Sequence, residues 1–149
     1  AIVVVSVGTK KFRCVIDTGA ARSLIRTSFA IDLAKDPSCS EHVRGFFRGD
    51  RMIRIEGVHK DQAVSDSSLV NVVCSVVLQF LTGGPTGTKK TGPPIEVEFG
   101  CLGSCADAMI IGMPELARWG LKVENDRQDQ CYVEILKYGV RASVEKEKR

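Results

Sequence analysis

Residues 14–20 read CVIDTGA, an apolar strand that runs directly into Asp-Thr-Gly. Because glycine permits a tight turn, this stretch predicts that Asp17 lies at a strand end. The strand is apolar, so we expect the carboxylate to be buried against apolar side chains, and a buried carboxyl is a candidate catalytic group. An ordinary strand-to-turn signal is the alternative, because Asp-Thr-Gly alone is common. A second short apolar segment, AMIIG at residues 108–112, favours the functional interpretation.

The composition is typical of a globular protein. The chain has 149 residues, 44% hydrophobic and 26% charged, which is enough for one domain with a core. Its net charge of +3 and scattered basic residues give no support to nucleic-acid binding. No apolar run approaches the roughly 18 residues of a membrane span. Residues 1–5 are too short for a signal peptide, and the absence of an initial Met leads us to expect a piece of a longer polypeptide.

The six cysteines favour free thiols over a disulfide framework. Cys14, Cys74 and Cys131 lie inside apolar strand patterns, which predicts burial. Cys101 and Cys105 are potential metal ligands, but no second cysteine pair has zinc-ligand spacing. We therefore expect no metal site and no cofactor.

Two other chemistries receive little support. Cys39 and His42 are close in sequence, but they lie in a polar loop without an orienting partner, which disfavours a cysteine protease. Residues 82–94 are rich in Gly, Thr, Lys and Pro, but they lack the Gly-Lys-Ser/Thr of a phosphate-binding loop. We interpret them as a flexible insertion.

Alternating apolar residues predict a mainly β chain. The predicted strands cover residues 2–7, 11–17, 69–81, 95–99, 108–111, 121–124 and 130–136. A hairpin is predicted from 43–47 and 52–55, with Gly49 in a type II′ turn. Short helices are predicted from Thr27 or Ser28 through Ala34 and from Pro114 to Trp119. Residues 142–149 have alternating charges and are predicted to be a frayed tail.

The order of these features resembles that of the retropepsins, the single-domain aspartic proteases of retroviruses and retrotransposons, and of the related proteases of ubiquitin-shuttle proteins. Two motifs carry the resemblance: VIDTGA at residues 15–20, and MIIG at residues 109–112 followed by Leu116. The resemblance covers about residues 2–136. It implies a mainly β, single-domain acid-protease barrel with one short C-terminal helix, formed by residues 1–141, with 142–149 as the tail.

The resemblance also implies roles for individual residues. Asp17 would be the catalytic aspartate, Thr18 would support the active-site turn by hydrogen bonding, and Gly19 would let substrate backbone approach. The expected substrate-binding residues are Ala20, Ala21, Arg22, Ala108 and Ile110. The expected flap, a hairpin that closes over bound peptide, is formed by Phe47, Arg48, Gly49, Asp50 and Arg51. Residues 57–68 are the alternative flap.

The sequence departs from the family pattern at several points. Arg22 stands where acidic or polar residues are usual, which implies a basic subsite and a preference for acidic or polar substrate residues. Met113 and Pro114 follow the Ile-Ile-Gly, so the ion pair that the family has in this area is not expected. The segment 82–94 is longer than in compact viral enzymes.

The implied function is an aspartic endopeptidase that cleaves an extended peptide or polyprotein. The mechanism needs two aspartates, and Asp17 alone is followed by Thr-Gly or Ser-Gly. The resemblance therefore implies a two-fold homodimer, with strands at residues 2–5 and 131–136 pairing across the interface. It also implies an intracellular location, in the cytoplasm or a virus-like particle. The alternatives are a retropepsin-like dimerisation or peptide-binding module with little turnover, and a nucleic-acid-binding β-domain.

Overall fold

The computed structural model describes residues 1–53, 71–82, 89–125 and 131–145, which are mainly β-strand. Within these residues the strands are, in chain order, β1 (Ile2–Val7), β2 (Lys10–Ile16), β3 (Leu24–Arg26), β4 (Val43–Arg48), β5 (Arg51–Ile53), β6 (Val73–Thr82), β7 (Lys89–Leu102), β8 (Met109–Ile111), β9 (Leu121–Asn125), β10 (Cys131–Ile135) and β11 (Val140–Ser143). The helices in the same residues are α1 (Thr27–Lys35) and α2 (Met113–Trp119), with 3-10 turns at Ser40–His42 and Leu136–Tyr138. No helix in this part of the chain is long and apolar enough to cross a membrane.

Six strands close into a barrel in the order β1-β2-β8-β3-β7-β6, because β1 pairs with β2 on one side and with β6 on the other. Strands β4 and β5 extend this sheet beyond β6. Strand β8 lies between β2, to which it is parallel, and β3, to which it is antiparallel. Strands β9 to β11 form a separate antiparallel sheet. The prediction of a mainly β barrel is confirmed.

The core fills the barrel with one face of each strand, as the period-two pattern requires. Cys14 and Ile16 of β2 are buried, and so are Met109 and Ile111 of β8. The largest fully buried side chains include Phe80 and Phe99, from β6 and β7. Full burial of one such side chain contributes about 1.5–3 kcal/mol relative to exposure.

The described residues contain two α-helices, so the expected single C-terminal helix is not confirmed. Helix α1 forms because Ala30, Ile31 and Leu33 are buried on one side. Phe29 of α1 packs edge-to-face on Phe12, with ring centroids 5.0 Å apart. The range predicted for this helix differs from the observed one by about one residue.

Helix α2 matches its predicted range closely. It has a proline in its first turn, and it ends at Gly120, whose φ of +74° favours glycine. Leu116 and Trp119 bury its apolar side.

The prediction of a loop over residues 82–94 is wrong for its second half. Residues 89–94 belong to β7, whose backbone pairs with β6 at Phe80–Thr91, Leu81–Lys90 and Thr82–Lys89. Residues 83–88 lie outside the described part of the chain. The glycine and prolines of residues 89–94 predict a loop, but backbone pairing with β6 makes these residues part of a strand.

The first half of the expected tail is also ordered by pairing. Ala142 and Ser143 pair with β10 as part of β11, and Val144 bridges to Val3. The Glu145 N–H donates a hydrogen bond to the Ile2 carbonyl at 2.7 Å. Because Ala142 is fully buried, the apolar alternation of the core continues to this point. Residues 146–149 lie outside the described part.

These contacts occupy the strand edges that were expected to pair across a dimer. Strand β10 lies between β9 and β11, so neither of its edges is open over Cys131–Ile135. The start of β1 is hydrogen-bonded to residues 144–145 of the same chain. Within one chain these edges are therefore occupied, and the pairing of residues 2–5 and 131–136 across a dimer stays a prediction.

Candidate active site

The turn that carries Asp17 is held by backbone hydrogen bonds. The Asp17 N–H donates to the Ile111 carbonyl at 3.0 Å, which fixes the end of β2 against β8. The Gly19 N–H donates to Oδ1 of Asp17 at 2.9 Å, and the Ala20 N–H donates to the Asp17 carbonyl at 3.1 Å. The orientation of the carboxylate is thus set by the chain itself.

Asp17, Thr18 and Gly19 are all exposed in the single chain. The expectation that the carboxylate is buried against apolar side chains is therefore wrong for one chain. The reason is the strand period: Ile16 is the last core residue of β2, and Asp17 lies on the outer face with Val15. The Thr18 hydroxyl has no hydrogen bond within the described residues, so it does not support the turn inside one chain.

Ser23 connects the segment after this turn to three other parts of the structure. Its carbonyl accepts a hydrogen bond from the Gly100 N–H of β7 at 2.9 Å. Its hydroxyl accepts from the Gly112 N–H at 2.9 Å and donates to Oε2 of Glu115 at 2.6 Å. Ser23 and Glu115 are only 3% and 7% exposed. A buried carboxylate needs such partners, and Arg118 supplies another at 3.4 Å from Oε1.

Gly112 lets the start of α2 lie directly under the same segment. A β-carbon at Gly112 would be 2.5 Å from the Arg22 carbonyl oxygen and 3.0 Å from that of Ala20. Both are backbone atoms, so a side chain there would push the segment away. The Met113 N–H donates to the Ala20 carbonyl at 2.9 Å, which completes the contact. Residues 111–112 therefore support the turn from below.

An apolar row crosses the outer face of the sheet beside this turn. Directly paired residues on neighbouring strands share a face, so the pairing registers define the row. Its members are, in order, Val15 (β2), Ile110 (β8), Leu24 (β3), Gly100 (β7), Val73 (β6), Phe47 (β4) and Met52 (β5). In β2, β8, β3, β7, β6 and β4, the residue next to the row member in sequence is buried in the core, which places the row on the outer face. We call it the outer row.

The structure brings some of the expected substrate-binding residues to the outer row. Ile110 is a member, and the Arg22 side chain lies against Gly100. Ala20 and Ala21 lie in the segment after Asp17. Ala108 is half-buried just before β8, and its carbonyl accepts a hydrogen bond from the Arg26 N–H at 2.9 Å.

The predicted hairpin is present as β4 and β5. Phe47 pairs with Met52 and Arg48 with Arg51, which leaves Gly49 and Asp50 as a two-residue turn. Gly49 has a φ of +60°, the conformation that the first position of a type II′ turn needs. Residues 57–68, the alternative flap, lie outside the described part.

The six cysteines are free thiols, and four of them are buried: Cys14, Cys39, Cys74 and Cys105. Burial, and then the charge of Asp36, raise the pKa of Cys39, whereas a nucleophilic cysteine needs a lowered pKa. Burial also raises the pKa of Cys101 to about 11, against the opposing charge of Arg22. The described residues contain no group of three side chains that could hold a metal ion.

Sequence reasoning did not identify Ser23 or Glu115. A signal for Glu115 exists, because it is four residues before Trp119 and next to Leu116, which places it on the buried side of α2. Ser23 has no comparable signal. Its role depends on the contact between two segments that are 89 residues apart.

Comparison with solved structures shows the fold. The structure is similar to the crystal structure of the retroviral protease-like domain of Ddi1 from Leishmania major, with a TM-score of 0.50 and 14% sequence identity. The alignment covers 99% of this chain and 96% of that domain. The chain therefore has a retropepsin-like fold. No protein-family model matches the sequence, and no curated protein matches it.

The Ser23 hydroxyl gives a testable prediction for stability. Ser23→Ala leaves the buried Gly112 N–H and a Glu115 oxygen without a partner, so we expect a loss of about 2 kcal/mol in the free energy of unfolding. Urea unfolding measures it. Ser104→Ala, an exposed serine in a loop, is the control and should stay within about 0.5 kcal/mol of wild type. Equal effects of the two substitutions would contradict the assigned role of Ser23.

Proposed function

We propose that this chain is an aspartic endopeptidase that acts as a homodimer, with Asp17 of each copy in one shared site. One observation carries the proposal: an exposed carboxylate, oriented by backbone hydrogen bonds, lies at the end of an apolar row in a retropepsin-like fold. The row offers a surface for peptide side chains, and the carboxylate offers acid–base chemistry beside it.

The chemistry requires two carboxyl groups around one water molecule. Two carboxyl groups about 3 Å apart cannot both be ionised, because their like charges repel. One carboxyl therefore keeps a proton, and the other acts as the base. The base takes a proton from water as it attacks the scissile carbonyl, and the acid donates to the carbonyl oxygen. The two pKa values belong to the pair and not to either Asp17.

A second copy supplies the missing half of this site. The chain has nine aspartates, and Asp17 is the one followed by Thr-Gly or Ser-Gly. The exposure of residues 17–19 supports a self-complementary contact around a two-fold axis. In such a contact the Thr18 hydroxyl, which has no hydrogen bond within the described residues, would find its partner in the other copy.

The substrate we propose is an extended peptide, such as a polyprotein segment, bound along the outer row. The hairpin of β4 and β5 would act as the flap, because Phe47 and Met52 place its apolar face at the far end of the row. A β-carbon at Gly45 would be 3.3 Å from the Phe47 ring and 3.4 Å from the Met52 methyl group, so glycine leaves room for both.

The role of Asp17 is tested by Asp17→Asn. The substitution keeps the size of the side chain and removes its ionisation, so we expect cleavage of a peptide library to be lost at any pH. Circular dichroism should remain that of wild type, because the carboxylate is exposed. Normal cleavage by the folded variant would overturn the aspartic mechanism. Peptide binding by wild type without cleavage would instead favour a peptide-binding module.

The need for two copies is tested by mixing subunits. Wild-type chains are titrated with Asp17→Asn chains at constant wild-type concentration, and the initial cleavage rate is measured. We expect the added variant to inhibit, because mixed dimers hold one carboxylate and are inactive. A control titration with Asp32→Asn, which changes an exposed aspartate of α1, should not inhibit. A rate unaffected by the Asp17 variant would refute a shared site.

A further inference from the structure

A glycine in the outer row creates a recess that a cation occupies. A β-carbon on Gly100 would overlap Nη2 of Arg22 and lie 2.7 Å from its Cζ and 2.9 Å from its Nε. The guanidinium therefore lies over the backbone of β7, between Leu24 and Val73 of the row. Of the seven row positions, the one without a side chain is filled by the head of Arg22.

No carboxylate neutralises this cation within the described residues. The ion pairs there join Lys10 to Asp36, Arg13 to Glu145 and Arg118 to Glu115. Glu98 lies on the same face of β7, two residues from Gly100, but it is not within ion-pair distance of Arg22. Arg22 is exposed, so its charge is available to a ligand on the row.

We infer that Arg22 is a specificity-determining residue that selects an acidic side chain in the bound peptide. This inference rests on the proposed function and names its substrate class: an extended apolar peptide with one Glu or Asp. Along the row, Gly100 is three strands from Val15, which adjoins the catalytic turn. That is about 14 Å, or about four residues of extended peptide, so the acidic residue lies within about four residues of the cleaved bond.

The test is a set of fluorogenic peptides that carry Glu or Gln at one position at a time, up to four residues on either side of the cleaved bond. For wild type we expect kcat/KM to be about fivefold higher with Glu at one position, the upper range for a partly solvated ion pair. The difference between the Glu and Gln peptides should appear in KM rather than in kcat, and it should become smaller as NaCl is added.

Three variants make the assignment specific. Arg22→Gln should reduce the Glu/Gln ratio of kcat/KM to about one. Arg22→Glu should bring this ratio below one and make a peptide with Lys at the same position the better substrate. Gly100→Ala keeps the charge but displaces the guanidinium from its recess, so it should also reduce the ratio. Lys35→Gln removes an equal charge from the end of α1 and should leave the ratio unchanged. Circular dichroism and thermal melting establish that each variant is folded.

The outcomes separate this inference from the proposed function. The role of Arg22 is overturned if the Glu/Gln ratio of kcat/KM is near one at every position in wild type, or if Arg22→Gln leaves the ratio unchanged. In either case the peptides are still cleaved, so the endopeptidase proposal is unaffected. If no peptide is cleaved, the endopeptidase proposal fails. Fluorescence polarisation with the same peptides then tests the role of Arg22 through binding alone. A Glu preference in binding that depends on Arg22 would support the inference, whereas binding without preference, or no binding, would overturn it.

Discussion

The hydroxyl of Ser23 joins the parts of the chain on which the site depends. It bonds to Gly112 at the end of β8 and to Glu115 of α2, while the Ser23 carbonyl bonds to Gly100 of β7. These contacts fix the segment that follows Asp17 over the start of α2. They are buried, so water cannot replace a lost partner, and the geometry of the turn follows from them.

The two faces of the same strands perform different tasks. Cys14 and Ile16 of β2 fill the barrel, while Val15 between them begins the outer row and Asp17 follows on the same face. Because successive side chains of a strand point to opposite faces, the residues that fill the core also fix which residues lie on the outer face beside the carboxylate. In the proposed homodimer this exposed turn is half of the site, and the second copy supplies the surface that excludes water from the reaction.

The sequence alone predicts the features that depend on local patterns. The barrel strands, the position of Asp17 at a strand end and the turn at Gly49 follow from alternation and glycine conformation. Features that depend on distant pairing were missed: residues 89–94 join β7, and Ala142 joins β11. The exposure of Asp17 was also missed, since an apolar strand does not reveal which face its last residue presents.

The stoichiometry of a transition-state mimic tests the central claim most directly. A statine-type peptide with a Glu at the preferred position resembles the tetrahedral intermediate and would be held by both carboxyl groups. Titration calorimetry of the wild-type chain should give one inhibitor molecule per two chains, because two Asp17 residues form one site. One inhibitor per chain would show that each chain carries a complete site, and it would contradict the account.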